Sequence, residues 1–249
     1  MSDFNPKKAI NEAIVNKINK DEDFKEFYAT LSVKEKENLK ERYLSFHEFD
    51  SLICEHQKYS PESLQKVAEE LFEKEIKGRG YKKVQGKKAR AYVKNRKFVY
   101  KWGDYWIGMC PKEVSKKGYM CLWMFMMEIP TEKGRIFVDL PGVGLEDQKT
   151  THVVYTAHFF DRYQERLGIE GNRNDTIMGF IKHELNKERA TGIDKDFDGN
   201  SIYDLNQGLA LGKDLGKMIL NKTFISKDEI NSYQQRKKEE LAILVKEKL

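Results

Sequence analysis

The stretch "CLWMFMMEIP", Cys121 to Pro130, is the most apolar run of the chain, and its reading decides the fold. A membrane-crossing helix needs about 20 apolar residues in succession, and nowhere in this sequence do eighteen run together. The run is strand-sized and bounded by Gly118 and Pro130, two strong local punctuators, so it reads as a buried β-strand. Its methionines suit the filling of an irregular core better than the holding of a cofactor. Working outward, aromatic and β-branched residues dominate from Arg90 to Leu140, with turn signals at "WGDYW", "CPKEVSKKG" and "IPTEKG". Four strands are expected, at about 90–101, 104–110, 119–129 and 134–140. Short turns between consecutive strands imply an antiparallel meander.

Residues 1–77 read as a helical region. No glycine occurs before Gly78, and the only prolines there, Pro6 and Pro61, stand where helices begin. Ser60-Pro61 is an N-cap followed by proline at the first helical position, and "SVKE" from Ser32 to Glu35 is a capping box. Over residues 1–76 there are seventeen acidic and twelve basic side chains, so these helices form an acidic surface suited to a protein partner. His47 and His56 are nine residues apart on one helix, about 180° out of phase, which argues against a shared metal site.

From Lys77 to Lys101 the balance reverses: "KGRGYKKVQGKKARAYVKNRKFVYK" holds eleven Lys or Arg and no acid, in a chain whose net charge is only +5. Such a single-sign block raises the local potential toward polyanions, and the interleaved Tyr81, Tyr92, Phe98 and Tyr100 offer flat faces for base stacking. Lys82, Lys83, Lys87, Lys88, Arg90, Tyr92, Lys94, Arg96 and Lys97 are the expected nucleic-acid contacts. A basic, solvated linker is the structural alternative.

Residues 146–249 read as a helix-and-strand module that follows a middle segment, 78–145, of basic strip and strands. A short strand "THVVYT" leads into a helix opening at His158, then a second helix from about Asp175 to Arg189, a loop through Asn200, two strands in "GLALG" and "KMILNKTFIS", and a terminal helix from Ser226. The fold class is therefore α+β: a helical N-terminal region, a central antiparallel sheet and a C-terminal helix-on-sheet module. In "TAHFFDRYQERLG", Phe159, Phe160, Tyr163 and Leu167 share one arc of the helix, and His158, Asp161, Arg162, Glu165 and Arg166 the other. Four-residue neighbours on the polar side have like sign, Asp161 with Glu165 and Arg162 with Arg166, so pairing along the helix compensates only in part. Two arginines one turn apart can hold phosphate oxygens, and a histidine one turn earlier titrates near neutrality. Together they offer proton transfer and charge stabilisation to a phosphodiester without a metal.

This pattern, His158, Arg162, Glu165 and Arg166 followed by "GLALG" and "KMILNKTFIS", resembles the RNA-cleaving toxins of the RelE, barnase and colicin type over residues 150–226. The resemblance implies a helix on an antiparallel sheet, metal-independent endoribonuclease activity, and strand residues completing the site. Thr223 is then expected to join His158, Arg162 and Arg166 in catalysis, with Lys222 and Ser226 binding the nucleic acid. Phe159 departs from the pattern, which has a small residue after the histidine.

The alternative function is that of a non-catalytic interaction or assembly protein of phage or mobile-element type. No cofactor and no metal are expected. "DKDFDGNSIYDL" from Asp194 begins like a calcium loop, but Leu205 stands where the bidentate glutamate belongs. The cysteines, Cys54, Cys110 and Cys121, are odd in number and lack a C-x-x-C pair, which fits a reducing cytoplasm and neither a disulfide framework nor a zinc site. The first twenty residues lack a signal-peptide core, and no membrane association is expected.

Overall fold

The computed structural model describes residues 14–82, 87–94, 96–114, 118–140, 152–185, 193–195, 200–215 and 218–230. The fold is α+β. After a helical stretch over residues 14–20 come α1 (Glu22–Thr30), α2 (Val33–His56) and α3 (Pro61–Gly78). The local signals act as the sequence suggests. Ser32 and Glu35 close a reciprocal capping box on α2, with the Ser32 amide donating to the Glu35 carboxylate at 2.7 Å, and the Ser60 hydroxyl caps α3 ahead of Pro61. On α3 the buried residues Leu64, Ala68, Phe72 and Ile76 recur every fourth position, giving one apolar row that lies on the sheet.

The strands are β1 (Phe98–Trp102), β2 (Tyr105–Val114), β3 (Tyr119–Thr131), β4 (Gly134–Leu140), β5 (His152–Tyr155), β6 (Ile193–Lys195), β7 (Asn200–Leu205), β8 (Gly208–Asp214) and β9 (Met218–Ser226). They form one sheet in the order β1-β2-β3-β4-β5-β9-β8-β7-β6. Each pairing is antiparallel except β5 with β9, where His152 to Tyr155 run parallel to Met218 to Asn221. Two meanders are thus joined at one parallel seam.

The apolar run Cys121 to Pro130 is the heart of β3. Met124 and Met126 enter the core on one face, and Phe125, Met127 and Ile129 enter the core on the other. The strand is apolar on both sides because both sides are covered. One face carries α5 (Ala157–Arg166) and α6 (Arg173–Glu184), whose Phe159, Phe160, Tyr163, Ile177, Phe180 and Ile181 are buried with Trp106, Phe137, Tyr155 and Phe224. The opposite face carries α2 and α3 through Ile53, Leu64 and Ala68. Gly108 on β2 admits α6 closely: a β-carbon there would lie 2.5 Å from Ile181 Cγ2 and 3.0 Å from Leu185 Cδ1.

Three segments differ from the sequence reading. The strand expected from residue 90 begins only at Phe98, because Lys87–Val93 forms a short helix, α4, that buries Ala89 and Val93 at helical spacing. The loop expected through Asn200 contains β6 and part of a hairpin, with Asp194 paired to Ile202 and Lys195 to Ser201. After Ser226 the described chain makes one turn of 3-10 helix, Lys227–Glu229, and the rest of the expected terminal helix lies outside the described residues. The loop "PGVGLED" and the Asp196 and Asp198 positions of the calcium-like segment also lie outside them.

Candidate nucleic-acid interface

The basic strip begins on α4. With Ala89 and Val93 buried toward Phe72, Phe98 and Met109, a helix turning about 100° per residue places Lys87, Arg90 and Lys94 on the outward side. Lys82, Lys87, Lys88, Lys94 and Arg96 are exposed and Arg90 is half-buried. Among the described residues none of Lys82, Lys87, Lys88, Arg90 and Lys94 forms an ion pair, whereas Lys77 and Arg79 pair with Glu73 and Glu75 on α3 at 3.6 and 3.5 Å. Lys83 lies outside the described residues.

The aromatic residues of the strip serve the interior rather than a stacking surface. Phe98 is buried with its ring 4.9 Å from that of Phe72. Tyr92, expected as a nucleic-acid contact, is half-buried, with the guanidinium groups of Arg79 and Arg96 5.0 and 4.1 Å from its ring. The hydroxyls of Tyr92 and Tyr100 both donate to Glu75, at 3.5 and 3.0 Å. Arg96 therefore offers its outer face and Tyr92 little. Lys97 turns to the other side of the sheet, where it donates to the carbonyl of Lys182 at the end of α6; burial lowers its pKa.

The cation row of α5 is arranged differently. Thr156 caps the helix, accepting from the Phe159 amide at 3.2 Å, and His158 is exposed in the first turn. Arg162 pairs with Glu165 at 2.6 Å. Arg166 pairs through Nε with Glu229 at 3.2 Å and donates to the carbonyl of Phe224 on β9. Arg173 of α6 takes up Asp161. Each arginine of the row thus has a carboxylate partner, and one of these, Glu229, comes from beyond β9. The repulsion that the helix alone leaves uncompensated is offset by protein groups.

Of the strand residues expected beside them, Lys222 is exposed and Thr223 half-buried. Lys222 is the extra residue where the β8–β9 register shifts between Leu211 and Gly212, and its carbonyl accepts from the Thr156 hydroxyl at 3.2 Å. Ser226 is buried, and both its hydroxyl and its amide donate to Glu229, at 2.8 and 3.1 Å. This corrects its assignment as a nucleic-acid contact, because the hydroxyl is spent on closing a turn. The strip and the row do not share a cleft: α4 packs with Phe72 and Met109 on the α3 side of the sheet, and α5 covers the other face. No protein-family model, curated protein or solved structure matches the chain, so the toxin-like resemblance rests on its own residues.

Two polar clusters escaped the sequence reading. Glu128 is 6% exposed and accepts from Trp106 Nε1 at 3.0 Å, from Lys101 Nζ at 3.1 Å and from Arg135. Burial pushes its pKa up, but these three hydrogen bonds outweigh burial and hold it below the ordinary carboxylate value. The signal was available, since Glu128 is the only acid in the apolar run. His183 is the second cluster: its Nδ1 lies 2.7 Å from the buried Tyr163 hydroxyl, and burial, with the charge of Lys97, lowers its pKa. No spacing in the sequence around His183 points to a partner twenty residues earlier.

Proposed function

We propose that the protein binds RNA through the outward face of α4 and the adjoining residues of the strip. One observation carries the reading: Lys82, Lys87, Lys88, Arg90 and Lys94 project from a segment free of acidic residues and form no ion pair among the described residues. Cations that the protein leaves unneutralised are the groups a phosphate backbone neutralises, with release of its counterions. With the aromatic rings turned inward, recognition is electrostatic and tolerant of sequence. The working place of such a protein is the cytoplasm.

A second reading, metal-independent cleavage of that RNA, is favoured by His158, which stands exposed at the start of α5 without a protein hydrogen bond among those described, leaving its imidazole open to a substrate. Binding of a labelled single-stranded RNA across a salt series tests the first reading. Affinity that falls steeply as salt rises supports it, and a salt-insensitive oligomer with no RNA affinity supports an assembly role instead. Incubation of the same RNA with chelator present tests the second. Cleavage by the parent that vanishes in His158→Ala supports it, and an inert parent removes it.

A further inference from the structure

The sheet ends on one side at β1, which pairs with β2 alone. Trp102 and Tyr105 close that hairpin around the two-residue turn Gly103-Asp104, so Trp102, Tyr100 and Phe98 hold the hydrogen-bonded positions opposite Tyr105, Ile107 and Met109. The β3–β4 hairpin, closed by Thr131 and Gly134, gives the same parity across the sheet. The backbone groups of odd-numbered β3 residues point to β4 and those of even-numbered ones toward β2, where the Glu128 amide donates to the Asp104 carbonyl at 2.7 Å. The amides and carbonyls of Val99 and Lys101 therefore point away from the sheet. Among the described residues no other segment supplies them with a backbone hydrogen bond.

Edge strands are commonly kept from pairing by lysine, proline, a bulge or brevity. The opposite border, β6, has only three residues. β1 is longer, holds no proline and runs along β2 without a shift of register. Its one lysine, Lys101, is neutralised by Glu128 at 3.1 Å, with its ammonium 4.9 Å from the centre of the Trp106 ring. Lys97, just before the strand, donates to the Lys182 carbonyl on α6. Both lysines that could repel an incoming strand are thus engaged by the protein itself.

This edge is complementary to itself. Antiparallel pairing about a two-fold axis at Tyr100 sets Val99 against Lys101 of a second copy, and Lys101 against its Val99, with four backbone hydrogen bonds exchanged. The same register sets Phe98 opposite Trp102, both on the face that α3 covers. It also brings Arg96, two residues before Phe98, to the end of the ladder where Asp104 of the other copy stands, two residues past Trp102. Arg96 and Asp104 are both exposed, and neither forms an ion pair among the described residues of its own chain. Opposite charges therefore meet at each end. We infer that β1 pairs antiparallel with β1 of a second copy, centred on Tyr100, joining two sheets into one. The contact uses the same edge in both copies, so assembly stops at the dimer. The inference rests on neither RNA reading.

Sedimentation equilibrium up to millimolar protein, with hydrogen exchange on dilute and concentrated samples, tests it. A monomer–dimer equilibrium is expected, with the Val99 and Lys101 amides protected only in the concentrated sample. Val99→Pro removes one outward donor and leaves the β1–β2 ladder whole, so a variant that still melts as the parent does is monomeric. Arg96→Glu or Asp104→Lys alone sets like charges together and weakens association about tenfold, through two exposed pairs per dimer, and the two changes combined restore it. A monomer at every concentration overturns the inference. So does a dimer whose Val99 and Lys101 amides exchange as they do in the dilute sample, or one that survives in a folded Val99→Pro. A combined Arg96→Glu/Asp104→Lys variant that associates no better than either single one overturns it as well.

Discussion

The molecule carries two groups of cations on opposite faces of one sheet, and it treats them in opposite ways. On α5, Arg162 and Arg166 are answered by Glu165 and Glu229, and Arg166 also ties the helix to the Phe224 carbonyl. On α4 and just past it, Lys87, Lys88 and Lys94 are exposed with no such answer among the described residues. Both segments are amphipathic and basic, and sequence pattern alone ranks α5 as the more suggestive. The structure reverses that order, because charge becomes available to a partner only where the fold has not already consumed it.

The comparison breaks most readily at α4. Replacing Lys87, Lys88 and Lys94 together with Gln is expected to lower RNA affinity strongly and to reduce the slope of log affinity against log salt by about 2, at roughly 0.7 per single-strand phosphate contact. Fluorescence anisotropy over a salt series measures both, and thermal melting should be unchanged because the three side chains are exposed and form no ion pair among the described residues.

The next effect belongs to the buried node at Glu128. Glu128→Gln should cost about 2 kcal/mol, below the cost of breaking a sealed pair because Lys101 and Arg135 are 36% and 62% exposed. The folded-state pKa of Glu128 is lowered, so its contribution is present above the unfolded carboxylate pKa and is lost as the pH falls through the folded one. Denaturant titrations of parent and variant should therefore converge at acid pH, and a constant gap would refute the assignment.

Arg166→Ala follows, at about 1 kcal/mol of stability, for the loss of a partly exposed ion pair and a bond to the β9 backbone. RNA affinity should hold. A loss of affinity as large as that of the α4 variant would show that the two faces act together after all. Arg162→Ala should be the smallest change, under about 0.5 kcal/mol, since its pair with Glu165 is solvent-exposed.

Much of this architecture can be read in the residues, for reasons that are local. The apolar run of β3 reports a strand covered on both faces, and Ser32, Ser60 and Thr156 announce helix starts through hydroxyls that need an amide. α4 is obscured because β-favouring residues stand on both sides of its end: Tyr92 and Val93 close the helix, and Phe98, Val99 and Tyr100 open β1 five residues later. β6 hides among Asp, Gly and Asn because an edge strand carries little apolar signal, and β7 beside it is short and polar. The site was less legible. Glu229 reaches Arg166, Tyr163 reaches His183 and Thr156 reaches Asn221 only through tertiary packing, and no spacing along the chain encodes any of the three.

The seam between β5 and β9 has a consequence for how the chain comes to be folded. The first meander joins neighbours in sequence and can zip as it emerges, but His152 must wait for Met218, which follows only after α5, α6 and three further strands have been made. Until Met218 to Asn221 have been made, the β5 border stays unpaired, and non-local pairing of this kind is the slow class of contact in which an open strand edge is exposed to aggregation.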